Sequence, residues 1–302
     1  MAPRSSTLSG QRKHEERLGW LFIAPVLAGI GLFQVYPTLF SLYVSFTQWN
    51  LLNPPRWIGA RNYVELFTTD RFFFKTLGNT ATYTVGVVLP ALAISLFFAV
   101  LLNQDIRGKH VYRAIYLVPV VAPAVAIALL WQWLYEPNFG IINSVLRLIG
   151  IKGPPWLGST KWAMRAVIIE AIWAGLGFNI VIFLAGLQGI SREYYEAAAI
   201  DGANAVQRFF RITLPLLSPV TFFVLVTGMI GTFQDFSVPF VMTGGGPAGA
   251  TQLVVMYLYG LAFRLQNMGL ASAVAYAVFV VIVSLTVLNF AIGRKWVFYE
   301  EG

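Results

Sequence analysis

The sequence predicts an all-α integral membrane protein, a bundle of six transmembrane helices with two short helices on one membrane face. Three observations predict it. Only 11% of the 302 residues are charged, while 57% are hydrophobic and 15% aromatic. A soluble domain carries about a quarter charged residues, so a water-facing surface is hard to build from this set. Six segments, 18–46, 77–102, 114–135, 163–187, 217–242 and 271–293, each supply an apolar run long enough to span; a hydrocarbon core about 30 Å thick needs about 20 such residues in a helix. The 21 Lys and Arg residues, which set the net charge at +8, sit between these runs rather than on one periodic face. That spacing suits membrane flanks and argues against nucleic-acid binding.

The first segment follows Arg12, Lys13 and Arg17 and so starts like a signal peptide. It runs from Leu18 to about Phe46, too long for a secretory h-region, and offers no cleavage site; a retained span behind a tail at 1–17 is expected. Proline interrupts several spans: Pro25 and Pro37, Pro90, Pro119 and Pro123, Pro219 and Pro239. Such breaks are tolerated where neighbouring helices or a water-filled cavity satisfy the freed backbone groups, which favours a bundle with an internal pathway over a set of anchors. The connection 48–76 carries Trp49, Pro54, Pro55 and Trp57 and a short interfacial helix expected near Asn62–Phe67. The connection 136–162 carries GPPW at 153–156 and an amphipathic run, Ile141–Ile149. Trp131, Trp133, Tyr135 and Trp162 at span ends fit interfacial belts.

An even span count puts both termini on one side. With the N-terminus inside, the inner segments hold twelve Lys and Arg: four in 1–17, three in 103–113, three in 188–216 and two in the tail 294–302. The outer segments hold nine: four in 48–76, four in 136–165 and one in 243–270. The positive-inside rule then places both termini in the cytoplasm. With no cysteine and two histidines, His14 and His110, disulfides, thiol catalysis and Cys/His zinc sites are excluded, and no metal site is expected. No G-x-x-x-x-G-K-[ST] segment is present to cradle nucleotide phosphates. Gly244-Gly-Gly-Pro247 is no substitute, because no strand precedes it and no Lys follows; it reads as a turn at the outer end of span five.

Gln188–Pro215 lies outside the lipid and contains EAAAIDGANAVQRFFRITLP at 196–215. Glu193–Ile200 is rich in helix formers, with Ser191 as a cap. Gly202 permits a chain reversal. A second helical stretch, Ala205–Ile212, carries Phe209 and Phe210 on one flank, and Pro215 stands where the chain turns into span five. Two short helices at a sharp angle, presenting small residues and an apolar pair, suit docking into a groove on another protein. An ordinary interfacial loop is the alternative, but it would not need Ala-Ala, Gly and Pro at set spacing.

Here the chain resembles a family. Glu196-Ala197-Ala198, Asp201-Gly202-Ala203, Phe209, Ile212, Pro215 and Pro219 resemble the EAA motif of ABC importer permeases, in the form found in carbohydrate importers. Thr243-Gly-Gly-Gly-Pro247 with Ala250-Thr251 is similar to the larger maltose-type permease subunit, as are Tyr36-Pro37, Ser41-Leu42-Tyr43, Ser45-Phe46, Trp57-Ile-Gly and Asn62-Tyr63. The matches span residues 18 to 293. The resemblance implies a six-span permease bundle in the bacterial inner membrane, with 188–216 as the coupling loop. Glu196, Ala197, Ala198, Asp201, Gly202, Phe209 and Pro215 would couple to a cytoplasmic ATPase, present in two copies, that binds the ATP and Mg. The other implied partners are a second homologous permease, an extracytoplasmic solute-binding protein, a sugar and membrane lipid. No cofactor and no enzymatic activity of this chain are implied.

Charged residues at membrane depth are functional candidates by default. Two qualify, Glu170 in span four and Asp235 in span five. Asp235 lies in GTFQDFSVPF (231–240), where Gly231, Gln234 and Pro239 loosen or polarise the helix. At helical spacing Gly228, Thr232 and Asp235 share one face, offering room, a hydroxyl and a carboxylate that accepts from sugar hydroxyls. Span four supplies Trp173, Gly175, Phe178 and Asn179, with an aromatic ring to stack on a pyranose and glycines to admit it. By resemblance, Gly175, Phe178, Gly228, Thr232 and Asp235 match positions lining the sugar site of the maltose-type subunit, with Phe in place of the expected Tyr and Asp in place of Asn. Helix packing is the alternative for Trp173 and Phe178, and an ion pair with a partner subunit for Asp235. Glu170, nearer the outer half of its span, reads as structural rather than ligand-binding. A glycerol-3-phosphate-type or other polar cargo is the alternative to sugar; an anion would want Arg or Lys at membrane depth, and none is evident. No nucleophile–base or metal constellation supports an enzyme.

Overall fold

The computed structural model describes residues 5–104 and 108–298; the extreme ends of the expected tails lie outside the described residues. Apart from a two-residue antiparallel ladder, β1 (Thr47–Gln48) with β2 (Arg56–Trp57), the regular structure described is helical. Four helices are long and apolar enough to cross a membrane: Glu15–Ser45, Arg71–Leu102, Ala163–Gln188 and Met268–Gly293. Two bent pairs, Ala114–Val121 with Ala124–Leu134 and Ala205–Leu216 with Ser218–Phe233, bring the number to six if each is one span. The chain forms two compact units, Met1–Phe67 with Leu261–Tyr276 and Thr68–Gly260 with Ala277–Gly302.

In the first unit, α1 (Ser5–Ile30) and α2 (Tyr36–Ser45) are joined by a π-helical turn, Gly31–Val35, in which the Tyr36 N–H bonds the Gly31 carbonyl. The helix therefore begins at Ser5, so most of the expected tail is helical. The wide turn immediately precedes Pro37, whose ring would clash with the carbonyl four residues back in a regular helix. Apolar side chains on this helix stand clear, Phe22 being 78% exposed, as a hydrocarbon surrounding allows. At its end, Asn62 on α3 (Arg61–Thr68) donates to the carbonyls of Ser45 at 2.8 Å and Thr47 at 2.9 Å. The β ladder was not expected from the sequence, since two residues per strand carry no readable alternation.

In the second unit, α4 (Arg71–Leu102) starts six residues before the expected span because Asp70 caps it, accepting from the N–H groups of Phe72 at 2.9 Å and Phe73 at 3.0 Å. Against α4 pack α8 (Ala163–Gln188) and α12 (Ser218–Phe233). Ala99, Phe183 and Leu217 are among the fully buried side chains at this junction.

Two expected spans are broken. Span three divides into α5 (Lys109–Val121) and α6 (Ala124–Leu134), bent by 109°. Ala122 is extended (φ −80°, ψ 144°), as the residue before Pro123 prefers to be. Span five ends as a helix at Phe233 and resumes as α13 (Ser237–Thr243). Pro239 cannot donate to the carbonyl of Asp235 four residues back. Asp235 thus lies in the break rather than on a continuous helical face with Gly228 and Thr232. The connections 136–162 and 243–270 contain α7 (Ile141–Leu148), as expected, and α14 (Val254–Tyr259), which was not.

The Gly-rich turn after α13 is built as a fixed loop. Gly244 (φ +57°) and Gly245 (φ +89°) take left-handed conformations, which a residue with a Cβ disfavours. The Thr243 and Thr251 hydroxyls bond each other at 2.7 Å. From α4, Lys75 donates to the Ala248 carbonyl at 2.7 Å, and Asn79 donates to those of Gly249 and Gln252 at 2.9 and 3.0 Å.

Two glycines of α8 behave differently. A Cβ at Gly177 would lie 2.0 Å from the Tyr116 carbonyl oxygen of α5, whereas one at Gly175 would meet nothing within 4 Å. Gly177→Val should therefore destabilise the purified protein by about 1–3 kcal/mol through overpacking, read as a lower midpoint in thermal unfolding. Gly175→Ala should show no such loss.

Candidate functional site

Within the second unit, α4, α8, α12 and the α12–α13 break surround a cavity of about 290 Å³. Missing side chains open it: a Cβ at Gly175 or Gly231 would touch nothing within 4 Å, and one at Gly228 would only reach Val88 at 3.5 Å. Val87 and Val88 give α4 an apolar wall, while Tyr83, Glu170, Asn179, Thr232 and Asp235 supply the polar groups. The buried Tyr83 hydroxyl donates to Asp235 Oδ2 at 2.5 Å. The Thr232 hydroxyl donates to the Gly228 carbonyl at 2.9 Å, so towards the cavity it is left as an acceptor.

Glu170 is the unusual member. It is 1% exposed, and neither carboxylate oxygen has a hydrogen-bond partner among the described residues. Two buried tyrosine hydroxyls are committed elsewhere, Tyr83 to Asp235 and Tyr135 to the Ala166 carbonyl at 3.1 Å. Holding a carboxylate out of water without a partner costs several kcal/mol. Among the described residues, no Lys, Arg or His lines the cavity.

Of the residues singled out from the sequence, Gly175, Phe178, Asn179, Gly228, Thr232 and Asp235 line this cavity. Trp173 does not. Two residues from Gly175 it points to the other side of α8, where it packs edge-on against Trp131 at 5.6 Å and lines a separate groove with Phe98 and Tyr116. Gln234 does not line it either: it caps the end of α12 and is exposed. Glu170, read from sequence as structural, does line it. Tyr83 was missed altogether. The signal for it was the polar run NTATYT at 79–84, conspicuous in a span otherwise built of apolar residues.

The loop after α8 forms a second site. Its first helix, α9 (Arg192–Ile200), is capped by Ser191, whose hydroxyl accepts from the Glu193 N–H at 3.3 Å. It closes with the Ala203 N–H on the Ala198 carbonyl at 2.9 Å and the Gly202 N–H on that of Ala199 at 3.1 Å. This is a Schellman closure, and it requires the left-handed φ of +77° that Gly202 adopts. The next helix, α10 (Ala205–Arg208), opens with a capping box between Asn204 and Gln207. A π-helical turn, Phe209–Thr213, leads into α11 (Leu214–Leu216), and Ala205–Leu216 as a whole is bent by 62° from α12. As before Pro37, the π turn precedes a proline, here Pro215.

Glu196, Ala197, Asp201, Gly202 and Pro215 are exposed and Ala198 is half-buried. Phe209 and Phe210 do not share a flank: Phe209 is half-buried against the core, while Phe210 is 60% exposed. The two rings meet edge-on, their centroids 5.0 Å apart. Ile200, at 87% exposure, adds to the apolar outer face. Tyr195 and Thr213 bond through their hydroxyls at 3.0 Å and tie the two halves of the loop together.

Several apolar spans, a polar-lined cavity between them and an ordered loop with an exposed apolar face define a multi-pass membrane transport protein. Residues 79–297 match the family described as binding-protein-dependent transport system inner membrane component, and the chain belongs to it. It is 38% identical to the probable ABC transporter permease protein YesP of Bacillus subtilis, over 94% of this chain and 92% of that one. It is 33% identical to the trehalose/maltose transport system permease protein MalF of Thermococcus litoralis, over 96% and 98%. It is 34% identical to the sn-glycerol-3-phosphate transport system permease protein UgpA of Yersinia pestis, over 94% and 96%. The fold matches a chain in the crystal structure of a bacterial ABC transporter that imports the acidic polysaccharide alginate, with a TM-score of 0.82 at 22% identity over 96% and 99% of the chains.

Tyr83→Phe leaves the Asp235 carboxylate without its buried donor and should destabilise the protein by about 1–3 kcal/mol. Thermal unfolding of Tyr83→Phe, Asp235→Asn and the double variant should show the double costing less than the two singles together.

Proposed function

We propose that this chain is a transmembrane permease subunit of a bacterial ABC importer for carbohydrate, and that it forms the translocation pathway with a second, homologous permease. The observation that carries the reading is the loop after α8: an exposed helix closed at Gly202, an outward Ile200 and Phe210, and an inward Phe209 that roots it in the core. A rigid, apolar-faced element of this kind suits a groove on another protein. Two copies of a cytoplasmic ATPase would dock there and bind the ATP and Mg, since this chain lacks a phosphate-cradling Gly-rich motif. An extracytoplasmic binding protein would deliver the solute, and both termini would face the cytoplasm. Glu196, Ala197, Ala198, Asp201 and Gly202 would form the docking surface, with Phe209 and Pro215 setting its angle to the membrane.

Relatives of similar identity are named for trehalose/maltose, lactose and sn-glycerol-3-phosphate transport. The cavity supports sugar over phosphate: its carboxylates and hydroxyls suit sugar hydroxyls, and no cation is among the described residues that line it. Within it, Gly175, Phe178, Asn179, Gly228, Thr232 and Asp235 would contact the cargo. The test is ATP hydrolysis by the complex reconstituted with its second permease, ATPase and binding protein. A sugar should stimulate hydrolysis and enter the vesicles; if none does so, the carbohydrate assignment fails.

Gly202→Pro should abolish uptake while the subunit still inserts in the membrane, because proline fixes φ near −65° where the loop needs a positive value. Transport at the normal rate would remove the docking role. Asp235→Ala should impair uptake severely yet leave the ATPase co-purifying with the permease.

A further inference from the structure

Glu170 is placed where its own fold gives it no partner. Its carboxylate is buried, lines the cavity with Asp235, and accepts no hydrogen bond from any described residue. Asp235 differs: Tyr83 already satisfies one of its oxygens. The cavity therefore has two acidic groups in its wall, one with both oxygens buried and unpartnered, the acceptor of Thr232 and the amide of Asn179, with no basic residue among the described residues that line it. A carboxylate in such a place is matched by a donor that carries positive charge.

We propose that the cavity accepts a solute bearing a protonated amine, an amino sugar or similar basic glycoside, with Glu170 as the counter-ion of the ammonium and Asp235 as acceptor for a neighbouring hydroxyl. This rests on reading the cavity as part of the cargo pathway. An ammonium carries three donors, enough to satisfy both unpartnered oxygens of Glu170, once side-chain rotation brings them to the cavity, and reach a third acceptor. Phe178, on the same wall, gives an apolar face for the sugar ring. The volume, about 290 Å³, is at the low end for small-molecule pockets and admits a single sugar unit at a time. A metal ion is a poorer match, because hard cations take six or more oxygen ligands and no group of three metal-ligating side chains occurs among the described residues.

The experiment uses the complete importer complex, purified with wild-type permease, Glu170→Gln or Glu170→Asp, and presents three probes directly at neutral pH. Glucosamine, glucose and glucuronate offer one ring as cation, neutral molecule and anion. Calorimetric titration should show glucosamine bound about tenfold or more tighter than glucose, the ratio expected of one charge-assisted hydrogen bond, with glucuronate weakest. Glu170→Gln, which keeps the shape, should bring glucosamine down to the level of glucose; Glu170→Asp should retain the preference. Glucose or glucuronate binding as tightly as glucosamine in the wild type would overturn the proposal and leave the carbohydrate reading standing. So would an undiminished preference in Glu170→Gln. Loss of the second permease from the Glu170→Gln complex, with sugar preference unchanged, would assign the carboxylate to a subunit contact instead. If a complex that hydrolyses ATP binds none of the three, the carbohydrate reading falls, and this proposal falls with it.

Discussion

In hydrocarbon every backbone N–H and C=O must find its partner within the protein, and the rest of this structure follows from how that constraint is met at the prolines. Ahead of Pro37 and Pro215 the helix widens into a π turn, so the carbonyl that the ring would strike is displaced without ending the helix. At Pro123 and Pro239 the chain takes the other course and breaks. The second break leaves Asp235 outside regular helix and beside the Tyr83 hydroxyl, and so creates the polar end of the cavity. In the π turn before Pro215, the half-buried Phe209 meets the exposed Phe210 edge-on, and Phe210 stands on the outer face of the loop. Both candidate sites thus lie next to a proline, whereas Pro25, Pro90 and Pro119 are carried inside continuous helices.

Glycine completes the arrangement in two opposite ways. At Gly177 the missing side chain lets α5 approach α8 backbone to backbone, and packing is tight. At Gly175, about 200° round the helix, the missing side chain is not filled by anything, and packing is open. The same residue type, two positions apart, brings helices together on one side of α8 and keeps them apart on the other. A cavity in a dense bundle needs both.

The sequence carried the spans well because apolar length is a strong signal: the expected ends of spans four and six fall within a few residues of Ala163–Gln188 and Met268–Gly293. The loop helix was also legible, since Ser191, the alanines and Gly202 act through local rules of capping and closure. What was not legible depends on contacts distant in sequence. Tyr83 lies 152 residues from Asp235, and nothing near it names its partner. Trp173 looked like a stacking ring because composition does not reveal which side of α8 faces the cavity. Asp235 was expected on a helical face because spacing rules assume that the helix continues. Glu170 could be seen as costly from the sequence, but only its surroundings show that no donor meets it.

The segment Gly244–Gln252 is held to α4 by Lys75 and Asn79 through three hydrogen bonds, to the carbonyls of Ala248, Gly249 and Gln252. Together with the Tyr83–Asp235 bond, these place four fastenings along one side of α4, all beyond the end of α12. The second half of span five is therefore fastened to span two, while the first half continues from the loop after α8. If that loop is the docking element proposed above, a displacement there would act along α12 against the fastened segment beyond Gln234, at the wall of the cavity.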